Sequence, residues 1–397
     1  MTRLPLWLLI ALSGAIISIC MGMRQSLGLF MRPMGADVGI TAAAFGFSIA
    51  LQNIVWGLGQ PFAGALADRH GPRPVLIVTA VLFGLGLLAL MFANAFPGGL
   101  VVAGLLLGLG TTGHSTLYGT MSRAAPVQRR SQIIGLVAAC GSIGTFVLAP
   151  LGGGLIDGPG WRTAMYVFIA FAVLMGLLAF PIRETKEKLS LEAKVSLGEA
   201  VREAVGHRGY LFMTLAFFAC GFQLVFLTTH LPSYLALCGI APGVGATALG
   251  LIGLFNAIGT YIFGQLGARY SQKHLLALIY LLRTTFIAVF LLVPVSAAST
   301  LVFASAMGFL WLGVAPLVTG IIARVFGLSH FNALYGVVFF SHQVGSFFGA
   351  WMGGLVFDYS GNYNFAWGAL IVIGVIAFTL QWLMDERPPR ELAAQPA

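Results

Sequence analysis

Runs of about 20 apolar residues follow one another along nearly the whole chain, and a run of that length is what a helix needs to cross the hydrocarbon of a bilayer. The runs lie at approximately 6–31, 41–66, 74–96, 98–121, 131–156, 162–181, 209–235, 244–267, 274–294, 298–322, 331–356 and 363–384. Lipid offers backbone N–H and C=O groups no partner, so each run must be a helix or part of a closed barrel. These runs are too long and too continuously apolar for barrel strands. The expected fold is therefore an all-α integral membrane protein with twelve transmembrane helices. Composition excludes a water-soluble alternative: 8% of the 397 residues are charged, against about 25% in soluble domains. The first run is too long for a cleaved signal peptide and reads as a retained helix.

The net charge of +9 raises the question of a nucleic-acid or anionic-surface partner. Its distribution answers it. With the N-terminus inside, Lys and Arg crowd the interior loops and tails, while the exterior loops hold only Arg32 and Arg162. This is the positive-inside pattern. The basic charge is topological and calls for no nucleic acid; both termini are expected to face the cytoplasm. Cys20, Cys140, Cys220 and Cys238 lie in or beside apolar runs without CxxC spacing. They read as small packing residues and not as a metal site or a disulfide framework.

Residues 182–208 form the one long polar stretch and divide the chain into six-helix halves, 1–181 and 209–397, with the stretch itself as a cytoplasmic linker. The halves repeat at an offset of 200 to 201 residues. Gly64-Ala-Leu-Ala-Asp-Arg69 matches Gly264-Gln-Leu-Gly-Ala-Arg269, Arg123 matches Arg324, and Gly153-Gly-Leu-Ile-Asp157 follows the pattern of Gly354-Leu-Val-Phe-Asp358. Two bundles related by a pseudo-two-fold axis along the membrane normal are a transporter plan.

The loop GALADRHGPRP at 64–74 resembles the signature between helices two and three of the major facilitator superfamily, and the repeat extends that resemblance over the whole chain. The resemblance implies a conformational latch in which Gly64, Asp68, Arg69, Gly71, Arg73 and Arg123 hold the halves in one state. Asp68 and Arg69 sit where a helix leaves the membrane, and Gly71 and Pro72 suit a tight turn. The second copy departs from the pattern, with Ala268 in place of the acid and Ser271 in place of the glycine. Gly141, Gly144, Pro150 and Gly152 of helix five resemble a glycine–proline motif of some antiporters in the family, and read first as packing and bending residues.

Ionisable groups inside a membrane are costly, so each one is a functional hypothesis. Arg24 in helix one, His114 in helix four, His230 in helix seven, Arg283 in helix nine and His342 in helix eleven make up the set, and no Asp or Glu falls in the middle of any span. A buried cation without an internal counter-charge is expensive. An anionic substrate would supply the missing charge, and a guanidinium holds a carboxylate through two parallel bonds. The alternatives are that Arg24 snorkels to the outer headgroups or bonds the carbonyls of a broken helix. Helix nine is peripheral in the superfamily, so Arg283 reads as packing against a neighbouring helix or reaching an interface. With no buried acid, His114 and His342 are the proton-coupling candidates; for each, the alternative is a neutral histidine bonded within the packing. Gln52, Asn53, Tyr118, Gln223, Asn256, Trp311 and Gln343 lie on helices that line the cavity in the superfamily, and join Arg24, His114 and His342 as substrate-binding candidates.

RQSLGLFMRPM around Arg24 and HQVGSFFGAWMGGLVFDYSGNY at 342–363 resemble bacterial relatives of the monocarboxylate and oxalate–formate transporters. In that group a basic residue of helix one and an arginine of helix eight face the anion. Arg24 matches the first; the stretch Asn256-Ala-Ile-Gly-Thr-Tyr261 holds no match to the second, and a single arginine suits one carboxylate better than two. The functional expectation is a secondary carrier for a small organic anion, a monocarboxylate above all, working by alternating access through proton symport or anion exchange. It would be a monomer in a bacterial inner membrane, with no cofactor. The competing readings are an efflux carrier for amphipathic compounds and a non-transporting membrane receptor. A GxxxxGK[ST] loop, a GxSxG serine and an HExxH pair are absent from the sequence, so neither a primary pump nor an intramembrane enzyme is expected.

Overall fold

The computed structural model describes residues 4–94, 98–126, 129–182, 202, 204–326 and 331–387. The expected linker at 182–208 thus lies largely outside the described residues. Among the described residues the regular structure is helical. Eleven helices are long and apolar enough to span a membrane: α1 (Leu6–Val38), α2 (Ala42–His70), α3 (Pro72–Met91), α4 (Gly99–Met121), α5 (Arg130–Asp157), α6 (Trp161–Ala179), α7 (Arg208–Leu237), α8 (Pro242–Gly267), α9 (Gln272–Leu292), α10 (Ala297–Phe326) and α12 (Asn364–Leu383). Between the last two runs α11 (Phe331–Ser360), a helix of 30 residues whose apolar character is diluted by Ser341, His342, Gln343 and Ser346. It completes the expected twelve.

Helix ends follow local chemistry. Thr41 caps α2 by accepting from the Ala44 N–H at 3.2 Å, Ser296 and Ser299 form a capping box at the start of α10, and Pro72 and Pro242 open α3 and α8 where a missing N–H costs nothing. Gly71, between α2 and α3, has φ 86°, a conformation that side chains with a Cβ resist. Its N–H closes α2 on the Ala67 carbonyl at 2.8 Å.

Packing repeats between the halves. In the first, α1 packs on α5, α2 on α4, and α3 on α4 and α6; in the second, α7 packs on α11, α8 on α10, and α9 on α10 and α12. The halves meet along two seams, α2 with α11 and α5 with α8. Exchanging the halves, α2 for α8 and α5 for α11, interconverts the seams, as a pseudo-two-fold axis requires. Gly28 and Thr228, equivalent positions at offset 200, face one another near that axis: a Cβ on Gly28 would lie 2.0 Å from the Thr228 carbonyl oxygen.

Both seams are tight at the end where α2 and α8 begin. A Cβ on Gly46 would lie 2.4 Å from the Ala350 carbonyl oxygen, and one on Gly153 would lie 2.4 Å from the Ala246 Cβ. Phe47 of α2 meets Phe347 and Trp351 of α11 edge-on, with centroids 6.1 and 5.4 Å apart. The Asp358 carboxylate, at the end of α11, accepts from the backbone N–H groups of Ala42 and Ala43 at 3.2 and 2.8 Å. An anion on those orphan N–H groups is favourable for the helix and its dipole, and here the cap crosses from one half to the other.

Candidate functional site

Two helices break at matching places. α4 passes through a 3-10 turn at Gly113–Ser115, and α10 is interrupted between Phe309 and Val314, so Gly113 and Gly313 are equivalent at offset 200. A broken helix frees backbone groups, and inside a membrane other residues must satisfy them. At the α10 break they do. Arg283 is wholly buried and donates from Nε to the Leu310 carbonyl at 3.0 Å, from Nη2 to the same oxygen at 2.6 Å, and from Nη2 to the Trp311 carbonyl. Its Nη1 lies 3.3 Å from Cys220 Sγ. Asn256 Oδ1 accepts from the Leu312 N–H at 2.9 Å, while its Nδ2 donates to Ser142 Oγ at 2.8 Å across the α5–α8 seam. The expected packing role of Arg283 takes a specific form here: it holds the carbonyls of a broken helix.

Arg24 is arranged differently. One Nη donates to Asn53 Oδ1, and Asn53 Nδ2 is anchored on the Ile49 carbonyl at 2.8 Å. The guanidinium lies over the Trp56 ring, 4.5 Å from its centroid. Its Nε is buried and, among the described residues, without a partner; no described carboxylate forms an ion pair with it. Asn53 and Trp56 are three residues apart and share a face of α2. One residue before Asn53, Gln52 is fully buried, and among the described residues neither amide atom is hydrogen-bonded. These groups open on a narrow cavity lined by Arg24, Leu27, Gly28, Ile49, Gln52, Asn53, Val225, Thr228 and Thr229. It has room for about one water, so a larger solute enters only when the halves separate.

His114 and His342 are linked to this cavity through the Trp56 and Phe339 rings. His114, at the α4 break, has Nδ1 2.5 Å from the Thr111 carbonyl and its ring 5.6 Å from that of Trp56 and 6.3 Å from that of Tyr118. His342 has Nδ1 3.3 Å from Gln343 Oε1 and 3.4 Å from Ser346 Oγ; its Nε2 and Gln343 Nε2 are buried without partners among the described residues. Phe339 stacks on His342 at 6.2 Å and meets Trp56 edge-on at 5.3 Å, so these rings bridge α2 and α11.

The structure thus brings Arg24, Gln52 and Asn53 to one cavity, with His114, Tyr118, His342 and Gln343 around the adjoining aromatic contacts. Gln223, Asn256 and Trp311 are placed elsewhere: Gln223 Nε2 donates to the Leu370 carbonyl of α12 at 3.1 Å, and the other two belong to the α10 break. His230 is tied to the Ala350 carbonyl at 2.7 Å and the Tyr363 hydroxyl at 3.3 Å. Sequence reasoning missed Trp56, although its spacing from Gln52 and Asn53 was visible, and missed Gly28 with Thr228 and Thr229, whose offset of 200 was the available signal. One cysteine departs from expectation: Cys238 is exposed, because it falls in the turn after α7 and not in its packed face.

Around the α2–α3 turn, Arg73 lies over the Phe180 ring at 4.6 Å, Arg69 is exposed, and a side chain on Gly64 would meet open space. The side chains of Asp68 and Arg123 lie outside the described residues. The second copy has an unforeseen feature. Glu386, beyond α12, pairs with Arg324 and accepts from Ser271 Oγ at 2.9 Å and from the Lys273 N–H at 3.0 Å. The carboxylate that Ala268 lacks is supplied at this loop by the segment after α12.

The twelve helices, the repeated packing and the two seams enclose a central cavity, and comparison with known proteins agrees with that plan. The Major Facilitator Superfamily profile matches residues 7–349. This chain belongs to the Major Facilitator Superfamily. Relatives of this superfamily member include monocarboxylate transporter 13 of Rattus norvegicus, 28% identical over 381 residues that cover 93% of this chain and 87% of the relative. The hexuronate transporter of Bacillus subtilis is 23% identical over 94% of this chain and 92% of its own. The oxalate:formate antiporter of Oxalobacter formigenes is 22% identical over 97% and 92%. The superfamily member is a multi-pass membrane transporter and not an enzyme.

Proposed function

We propose that this transporter carries a small organic anion, a monocarboxylate above all, and that Arg24 supplies the positive charge that holds it. The observation that carries the reading is a part-buried Arg24 whose Nε is buried and unpaired among the described residues, with no described carboxylate in an ion pair with it, next to a Gln52 amide with neither end paired among the described residues. Burying polar groups unpaired costs about 1–3 kcal/mol each, which a bound anion with further acceptor or donor atoms would offset. The names of the three relatives, each referring to a carboxylate, support the same class.

Transport proceeds by alternating access. The tight outer seams correspond to the phase closed to the outside, and rocking of the halves about the pseudo-axis exposes Arg24 to each side in turn. Asp68 with Arg69, Arg73 and Arg123 would secure the inner side in the opposite phase. Proton symport fits an anion because charge then balances, and His342, whose Nε2 is free of partners among the described residues, is the first candidate to take the proton, with His114 the second. Exchange of one anion for another uses the same site without either histidine. The positive-inside charge supports both termini in the cytoplasm; the carrier is read as a monomer of a bacterial inner membrane.

The test is uptake of radiolabelled lactate, pyruvate, formate and oxalate into proteoliposomes by wild type and Arg24→Ala. We expect one or more monocarboxylates to be transported and the substitution to abolish uptake while the protein stays folded. Normal transport by Arg24→Ala would overturn the reading.

A further inference from the structure

Trp56 touches Arg24 through its ring face, and it joins that arginine to rings of two other helices. Its ring face lies 4.5 Å from the guanidinium carbon. One flank meets the His114 ring of α4 at 5.6 Å and another meets the Phe339 ring of α11 at 5.3 Å. A simple core tryptophan would be held by apolar packing and a hydrogen bond to its indole N–H. Here the indole Nε1 is buried without a partner among the described residues, and the ring is instead turned flat under a charge. Tryptophan offers the best ring face for a cation, and the attraction grows as the pair loses water; Arg24 and Trp56 are both partly buried.

The geometry around the guanidinium shows what this does. Asn53 fixes one terminal nitrogen, Trp56 covers one face, and Nε remains free. A planar group held by one in-plane bond and one stacked face has lost its freedom to swing, so its unpaired edge is kept in a single direction before any ligand arrives. Pre-organisation of that kind raises affinity by removing an ordering cost on binding. Arg24, Asn53 and Trp56 all belong to the first half. The arrangement therefore travels with that half, whereas Phe339, from the second, parts from it when the α2–α11 seam opens.

We infer that Trp56 is a positioning residue that holds Arg24 in its anion-binding pose through its ring face. The inference rests on the proposed anion site. Kinetics in proteoliposomes with labelled lactate, pyruvate, formate and oxalate, comparing wild type, Trp56→Phe and Trp56→Leu, would test it. Trp56→Leu is expected to raise KM tenfold or more with maximal rate within threefold of wild type. Trp56→Phe, which keeps an aromatic face, is expected to bring KM back to within threefold. A Trp56→Leu carrier with unchanged KM, a Trp56→Phe carrier no better than Trp56→Leu, or a loss of rate at constant KM would overturn the inference and leave Trp56 a packing residue of the seam. Wild type that carries none of the four acids would defeat the anion site and this inference together; wild-type transport that needs Arg24 but ignores Trp56 would defeat this inference alone.

Discussion

At the scale of single residues, Gln52 shows how folding and binding can pull in opposite directions. Its side chain is fully buried, and among the described residues neither amide atom has a partner. Replacing it with Leu or Met removes two unsatisfied polar atoms, so the protein should become no less stable, and by the usual cost of such groups could gain about 1 kcal/mol or more. The same change removes a donor and an acceptor from the Arg24 cavity, so anion affinity should fall. Thermal unfolding in detergent together with KM in proteoliposomes checks both halves of this statement. A loss of stability would mean that Gln52 is part of the packing and not held in reserve. Asn256 is the contrasting case. It is a buried amide on a helix that lines the pathway in the superfamily, but its atoms are committed to Ser142, Leu312 and Thr260. Sequence marks both residues equally as polar groups in apolar runs. Only the positions of neighbouring backbone groups tell a satisfied amide from an unsatisfied one.

At the scale of helices, the two arginines inside spans divide by the same criterion. Arg24 leaves an edge free, while Arg283 is absorbed by the carbonyls exposed where α10 breaks. Arg283→Leu should therefore destabilise the protein by at least about 2 kcal/mol, since two buried carbonyls lose their donors, with unfolding measured by denaturant titration in mixed micelles. The broken helix was not legible in the sequence because Leu310-Trp-Leu-Gly313 is as apolar as its flanks; hydropathy records burial and is blind to a change of backbone path. The spans themselves were legible, because length and apolarity are what the bilayer demands of each one. The second inner loop was legible only as a defect. Ala268 sits where an acid was expected, and nothing local reveals that Glu386, more than a hundred residues onward, fills the place. Glu386→Gln weakens the pairing with Arg324 and the contact with the start of α9. The partners are partly exposed, so the loss of stability should be about 1 kcal/mol or less and smaller still at high salt, as thermal melts at two ionic strengths would show.

At the scale of the whole molecule, the two seams are closed by different means. Glycines bring backbones together on both, but the α2–α11 seam also carries the Asp358 cap on the first turn of α2. The equivalent acid, Asp157, makes no such hydrogen bond among the described residues. Asp358→Ala should favour opening to the outside, by about 0.5–2 kcal/mol if it behaves as an ordinary cap. A cysteine at position 42, in a background where Cys238 is replaced, should then react faster with a membrane-impermeant thiol reagent added outside. Unchanged reactivity would mean that the glycine packing alone seals that face. The repeat in the sequence announced the pseudo-axis, and the matched packing of the halves follows it. The chemical differences between the seams were not announced, since they depend on which of two equivalent acids lies against a helix end.

The Glu386 contact also bears on how such a chain is made. Helices enter the bilayer in order of synthesis, and α9, α10 and the loop carrying Arg324 are all in place before the segment after α12 exists. Until then the start of α9 and the Arg324 side chain lack the carboxylate that joins them. The signature loop of the first half carries an acid, Asp68, within its own sequence. The second half can only be fastened last, once α12 has been threaded through the membrane, so any fault in that final insertion should show itself at a loop more than a hundred residues earlier in the chain.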